Sequence, residues 1–127
     1  MNKTIYVIDD DPLIRLIVER MMSKADNGLT FIQCENGKMG LEKLQCHQGK
    51  FSDCIVLLDL NMPILDGWGF LDEIKSELLK DYQSISLYIL SSSTDKGDIE
   101  KAKQYSKVKK FYHKPLSMDD ISEILGS

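Results

Sequence analysis

Ile55-Val56-Leu57-Leu58-Asp59-Leu60-Asn61-Met62-Pro63 is an unbroken apolar run that stops on an aspartate and passes at once into turn chemistry. A continuous run, in place of the alternation of a half-exposed strand, suits a strand covered on both faces. Ile5-Tyr6-Val7-Ile8 and Leu87-Tyr88-Ile89-Leu90 have the same character and end at Asp9 and Ser91. Leu29 to Cys34 and Lys109 to His113 are more polar, as strands nearer a sheet edge are, and the second runs into Lys114-Pro115.

Between these runs lie helical stretches. Asp11-Pro12 is a strong start signal, with Asp as cap and Pro at the first helical position. The helix it opens carries Ile14, Ile17, Val18, Met21 and Met22 on one face. Asn36 is placed to cap a helix through Leu41 and Leu44, while Phe70, Leu71, Ile74 and Leu78 make another stripe and Ile121, Ile124 and Leu125 a further one. Thr94 to Tyr105 has only Ile99, Ala102 and Tyr105 to offer a core, with Ser93 or Thr94 placed to cap it. So weakly anchored a helix opens at low free-energy cost.

The alternation predicts an α/β fold: a single doubly wound domain spanning residues 1–127, five parallel strands each followed by a helix, with right-handed crossovers. Periodicity leaves the strand order open. In such a sheet the ligand crevice lies outside the carboxyl ends of the strands. Asp9-Asp10-Asp11, Asp59, Ser91 and Lys114 all stand there, remote in sequence and convergent in space.

Composition narrows the function. The net charge of −4, with 28% charged residues of mixed sign, lacks the basic stripe of a nucleic-acid binder. Cys34, Cys46 and Cys54 are odd in number and have no close pairing, which indicates neither a disulfide framework nor a metal knuckle. The chain opens almost directly on a strand and its apolar runs are short, so the expectation is a reduced, cytoplasmic protein that neither is secreted nor spans a membrane.

Like charges ~4 Å apart repel by roughly 4 kcal/mol at an effective dielectric near 20. If Asp9, Asp10 and Asp59 converge, Lys114 alone leaves them at about −2, so a carboxylate protonates or a divalent cation binds. A hard, all-oxygen site favours Mg²⁺, which accepts phosphate oxygens as remaining ligands. A carboxylate beside a metal and a lysine can act as nucleophile toward phosphorus, and Asp59, at the end of the most apolar strand, is the best placed. Asp11 reads as the helix cap, His47 and His113 as solvated surface residues, Trp68 as packed near the start of its helix, and Lys114-Pro115 as a candidate cis bond.

Val7-Ile8-Asp9-Asp10-Asp11-Pro12, Leu58-Asp59-Leu60-Asn61-Met62-Pro63-Ile64-Leu65-Asp66-Gly67, Leu90-Ser91-Ser92 and Lys114-Pro115, in order and at strand ends, resemble the receiver domain of two-component response regulators from about Ile5 to Leu125. The resemblance implies a flavodoxin-like strand order of 2-1-3-4-5. It implies that Asp59 accepts a phosphoryl group from a phosphohistidine on a sensor histidine kinase or histidine phosphotransfer protein. Asp10, Asp59 and the backbone carbonyl of Asn61 then coordinate Mg²⁺, with Asp9 acting through water. Ser91 stands at the family's Thr or Ser position and Lys114 at its lysine. Phe111 matches the switch aromatic, and positions 61 and 93 are those that tune acyl-phosphate lifetime. The implied output is a switched protein-binding face for a downstream target, with no enzymatic activity beyond the domain's own phosphorylation and dephosphorylation.

The rival readings are a Mg²⁺-dependent phosphohydrolase with an aspartate nucleophile and a pseudo-receiver acting only as an interaction module. The phosphohydrolases of haloacid-dehalogenase type place Asp-x-Asp after the first strand, whereas Asp59 follows the third and position 61 is Asn. A nucleotide or flavin module wants an anion-binding loop after the first strand, where three aspartates stand instead.

Overall fold

In the computed structural model, residues 3–76, 84–92 and 95–126 are described. The elements run β1 (Thr4–Ile8), α1 (Pro12–Ala25), β2 (Thr30–Cys34), α2 (Gly37–Gln45), a 3-10 turn (Phe51–Asp53), β3 (Cys54–Leu58), α3 (Gly67–Ser76), β4 (Ser86–Ser91), α4 (Lys96–Ala102), β5 (Val108–His113) and α5 (Met118–Gly126). All strand pairings are parallel, in the order β2-β1-β3-β4-β5. That is the flavodoxin-like order, with β1 and β3 adjacent and the central strands the most apolar, as their sequences require.

Because side chains alternate across a strand, each central strand feeds two cores. Ile5, Val7, Ile55, Leu57, Tyr88 and Leu90 meet α1 and α5 on one face through Val18, Met22, Ile121 and Ile124. Tyr6, Ile8, Val56, Leu58, Leu87 and Ile89 meet α2, α3 and α4 on the other through Leu44, Phe70, Leu71, Ile74 and Ala102. Every residue of β3 is buried, whereas β2 and β5 keep exposed positions, in accord with their polar sequences.

The caps follow the sequence in part. Asp11 Oδ1 accepts from the Leu13 N–H at 2.9 Å and Asn36 Oδ1 from Met39 N–H at 2.8 Å. At α4 the cap is Asp95, whose Oδ1 accepts from Gly97 N–H at 2.8 Å, in place of Ser93 or Thr94, which lie outside the described residues. Ser117 and Asp120 form a reciprocal capping pair at the start of α5, with both bonds at 3.0 Å. Leu78 also lies outside the described residues.

Two expectations are corrected. Ile17 is 43% exposed, because it lies beside the β5–α5 connection rather than over the sheet, and Val18 and Met22 carry the contact of α1 with the strands. His47 is not solvated: its Nδ1 lies 2.8 Å from the Tyr6 hydroxyl and its ring stands 5.5 Å from that of Phe51. Tyr6 is fully buried, and a buried phenol needs a polar partner for its hydroxyl. His47 supplies it from the end of α2. The Lys114–Pro115 bond is cis, as the motif allows.

Candidate functional site

The sheet itself positions the acids and the lysine. Asp9, Asp59 and Lys114 each follow their strand by one residue, and each amide still bonds the neighbouring strand. Asp9 N–H donates to Cys34 O at 3.0 Å, Asp59 N–H to Ile8 O at 2.9 Å and Lys114 N–H to Ser91 O at 2.9 Å. The ladder therefore extends one rung past the strands and fixes the backbone from which the site side chains project.

Ligand oxygens of Asp9, Asp10 and Asp59 all lie within 4.8 Å of one another. Lys114 Nζ is 2.7 Å from Asp9 Oδ2 and 3.4 Å from Asp59 Oδ1, so the ammonium spans two of the carboxylates and is closer to Asp9. Asp9 and Asp59 are buried, 2% and 6% exposed, while Asp10 faces solvent. Burial, then the Asp9 charge, push the Asp59 carboxyl up to about 6 against the opposing pull of Lys114 and the Leu60 N–H. Burial pulls the Lys114 ammonium down, but its contacts with Asp9 and Asp59 outweigh that and leave it raised.

This arrangement fits a cation. Asp9 Oδ2 has Lys114 nearby but accepts no aligned hydrogen bond, although it is buried. Asp10 offers a carboxylate with no hydrogen bond or ion pair of its own among the described residues. The donor set is all oxygen and carries excess negative charge, which a hard divalent ion answers.

The turn after β3 is built around close approach. Leu60 N–H donates to Asp59 Oδ1 at 2.9 Å, and Gly67 N–H returns to Leu60 O at 3.0 Å. A Cβ on Gly67 would meet Asp59 O at 2.4 Å and Leu60 Cα at 2.8 Å, so only glycine lets α3 start this near the end of β3. Ile64 has φ of 70°, and Leu65 N–H donates to Pro63 O at 2.8 Å, the bond of a γ-turn centred on Ile64. That reversal lets Leu65 O accept from the Gly37 N–H at 2.9 Å, tying the turn to α2.

Ser91 is fully buried at the end of β4, opposite His113 of β5 in register. Phe111 is half-buried, its ring 5.1 Å from that of His113. Asn61 is exposed, two residues past Asp59. The geometry thus brings Asp9, Asp10, Asp59 and Lys114 together and sets Ser91 on the strand next to Lys114, whereas Phe111 lies further back along β5. Arg15, whose Nη1 donates to Asp9 O at 2.5 Å, carried no signal in the sequence beyond its place in an amphipathic helix.

Trp68 packs at the start of α3 as expected, but its ring also meets Tyr105 at 5.8 Å and carries Lys101 Nζ 4.5 Å above it. The Tyr105 hydroxyl donates to Asp72 Oδ1 at 2.7 Å. These contacts join the weakly anchored α4 region to α3.

A family profile described as the response regulator receiver domain matches residues 5–126. The probable methanogenesis regulatory protein FilR2 of Methanothrix harundinacea is 34% identical over 126 aligned residues, covering 88% of this chain and 78% of that protein. A protein-glutamate methylesterase/protein-glutamine glutaminase of Methanococcoides burtonii is 31% identical over 126 residues. The alignment takes in 98% of this chain but spans only about a third of that relative's length, 33%. In structure, a two-component response regulator from Cytophaga hutchinsonii superposes with a TM-score of 0.84 at 22% identity, covering 98% of this chain and 94% of that one. With its strand order, its acidic group at the strand ends and this profile match across nearly its whole length, the chain belongs to the response regulator receiver family, the phosphoacceptor domains of two-component signalling.

Proposed function

We propose that Asp59 is the phosphoacceptor, within a single receiver domain spanning residues 1–127. The observation that carries this reading is the buried Asp59 carboxylate at the end of β3, within reach of both Lys114 and the other two acids. An Asp59 oxygen attacks the phosphorus of a phosphohistidine in line. The O–P bond forms as the N–P bond breaks, and the imidazole nitrogen leaves with the electron pair. Positioning and charge neutralisation govern such transfers. Asp10, Asp59 and the Asn61 carbonyl would hold Mg²⁺, with Asp9 acting through water; when bound, the ion supplies positive charge to the phosphoryl oxygens. Lys114 and the Ser91 hydroxyl supply the remaining neutralisation.

The donor partner is a sensor histidine kinase or a histidine phosphotransfer protein, and the recipient of the signal is a protein. Phosphorylation adds negative charge and acceptor oxygens at the strand ends. Ser91 and Lys114 move toward them, and Phe111 fills the space that Ser91 leaves. Support for the last step comes from α4. Its buried anchor among residues Lys96–Ala102 is Ala102, and Phe111 lines, with Ile99 and Val108, a groove of about 210 Å³ between α4 and β5. A helix so anchored shifts at low cost, changing the face offered to a partner.

Cys34 and Cys54 are buried, unpaired thiols, and no helix among the described residues is long and apolar enough to cross a membrane. Both features accord with action in the cytoplasm. The test is intact mass after incubation with acetyl phosphate, with and without Mg²⁺. A Mg²⁺-dependent gain of one phosphoryl, absent from Asp59→Asn, is the expected result. No gain from acetyl phosphate or from a phosphorylated kinase would leave only an interaction module, and steady turnover of small phosphate esters would point to a hydrolase.

A further inference from the structure

The Asp9–Asp10 segment is tied down at three backbone or side-chain points. The sheet holds Asp9 N–H on Cys34 O at 3.0 Å. The loop holds itself through Asp11 N–H on Asp9 Oδ1 at 2.9 Å. The third tie comes from a helix: Arg15 Nη1 donates to the carbonyl oxygen of Asp9 at 2.5 Å. Arg15 is itself held. Its Nε donates to Gln33 Oε1 at 3.3 Å, and Gln33 Nε2 donates to Glu19 Oε1 at 3.1 Å. Arg15 and Glu19 are one helical turn apart on α1, and Gln33 is the β2 residue just before Cys34, so the relay closes on the strand that also anchors the Asp9 amide.

The carbonyl that Arg15 grips belongs to the planar Asp9–Asp10 peptide, and fixing its oxygen fixes the orientation of that plane. The plane sets where the Asp10 side chain leaves the backbone. Asp10 needs such help because its exposed carboxylate has no hydrogen bond or ion pair among the described residues to hold it over the site. Asp59 has Leu60 N–H and Lys114, and Asp9 has Asp11 N–H and Lys114.

We infer that Arg15 is a positioning residue of the cation site: through the Asp9 carbonyl it presents the Asp10 carboxylate to a divalent ion shared with Asp59. This rests on the reading of Asp9, Asp10 and Asp59 as a cation site. A guanidinium this close to a cation site opposes a second positive charge by simple electrostatics. Its presence is explained by the geometry it imposes, and the two effects have opposite signs on removal.

The experiment is calorimetric titration of the metal-free protein with MgCl₂ at neutral pH, comparing wild type, Arg15→Gln, Arg15→Lys and Arg20→Gln, with thermal unfolding in EDTA alongside. Loss of an interaction that orients a metal ligand costs about ten-fold in affinity or more, and that weakening is expected for Arg15→Gln. Arg15→Lys keeps the charge but not the planar fork and is expected to weaken binding as well. Arg20→Gln makes the same charge change on an exposed position of α1 and is expected to leave affinity the same or slightly tighter. Should Arg15→Gln fail to fold, Gln33→Ala decides, since it frees the guanidinium from its relay without a change of charge, and a measurable weakening is expected. Mg²⁺ affinity equal to or tighter than wild type in the folded variant overturns the inference while leaving the cation site standing. A wild-type protein that shows no Mg²⁺ binding overturns the cation site and the inference with it.

Discussion

Replacing Asp59 by Asn removes one negative charge from a buried corner and leaves its shape nearly unchanged. The side-chain oxygen can still accept from the Leu60 N–H, now 2.9 Å away. What changes is the cost of keeping a carboxylate there. Burial and the Asp9 charge raise the Asp59 carboxyl from 3.8 to about 6, and at ~1.4 kcal/mol for each tenfold this corresponds to about 3 kcal/mol. The sign follows from the proton. Between pH 3.8 and about 6 the unfolded chain has released it while the folded protein still holds it, so rising pH favours unfolding across that window. Stability from protonated Asp59 is complete below 3.8 and lost above about 6.

In metal-free protein at pH 7.5, therefore, Asp59→Asn is more stable than wild type. Relaxation of the loop and entry of water take a share, so ~2 kcal/mol is expected, or about 8 °C in Tm at ~4 °C per kcal/mol. At pH 4.5 the gain falls to about one third, because most of the wild-type protein still carries the proton. Added Mg²⁺ closes the gap from the wild-type side by mass action. The assay is differential scanning calorimetry of both proteins in EDTA at the two pH values, repeated with MgCl₂. A variant no more stable than wild type at pH 7.5, or a gain of equal size at both pH values, would refute the electrostatic reasoning.

Other substitutions probe the same corner. Gly67→Ala places a Cβ against the backbone of Asp59 and Leu60; a loss of about 2–3 kcal/mol in urea unfolding is expected, with slower phosphorylation by acetyl phosphate as the turn is pushed away. Ile64→Gly relieves a β-branched residue at φ of 70°; after the added entropy of glycine in the unfolded chain, a net gain of about 1 kcal/mol is expected in the same assay. Lys114→Met strips the counter-charge from Asp9 and Asp59; about 3 kcal/mol is lost at pH 7.5 without metal, and Mg²⁺ restores part of it in thermal unfolding.

Asp9, Asp59 and Ser91 were legible because each ends an apolar run, and the end of a run is the end of a strand; Lys114 ends a more polar edge strand and was legible from the Lys-Pro pair that closes it. Parallel pairing then forces those ends together whatever their separation in sequence. The strand order came from the motif resemblance instead, since a two-residue period says which face a side chain takes and not which strand lies beside it. Hydrogen bonds across elements were out of reach for the same reason. Arg15 reaches Asp9 O, and Leu65 O reaches Gly37, through backbone groups that every residue carries. His47 was misread because nothing in a lone histidine announces a buried phenol 41 positions away. Ile17 was misread because helical periodicity gives the direction of a face but not its width, and on α1 the β5–α5 connection takes up one side of it. Asp95 displaced its neighbours as the α4 cap simply by being closer to where the helix begins.

The proposed function requires that Asp59, and no other carboxylate of the acidic group, take the phosphoryl group. An acyl phosphate can be trapped by borohydride, which reduces the phosphorylated carboxyl to an alcohol and leaves homoserine in place of aspartate. Peptide mapping by mass spectrometry, after Mg²⁺ and a phosphohistidine donor or acetyl phosphate, then reads the position. Homoserine at position 59 alone, and none when Mg²⁺ is omitted, is the predicted result. Homoserine at position 9 or 10, or none at any position with phosphoryl donors in excess, would contradict it.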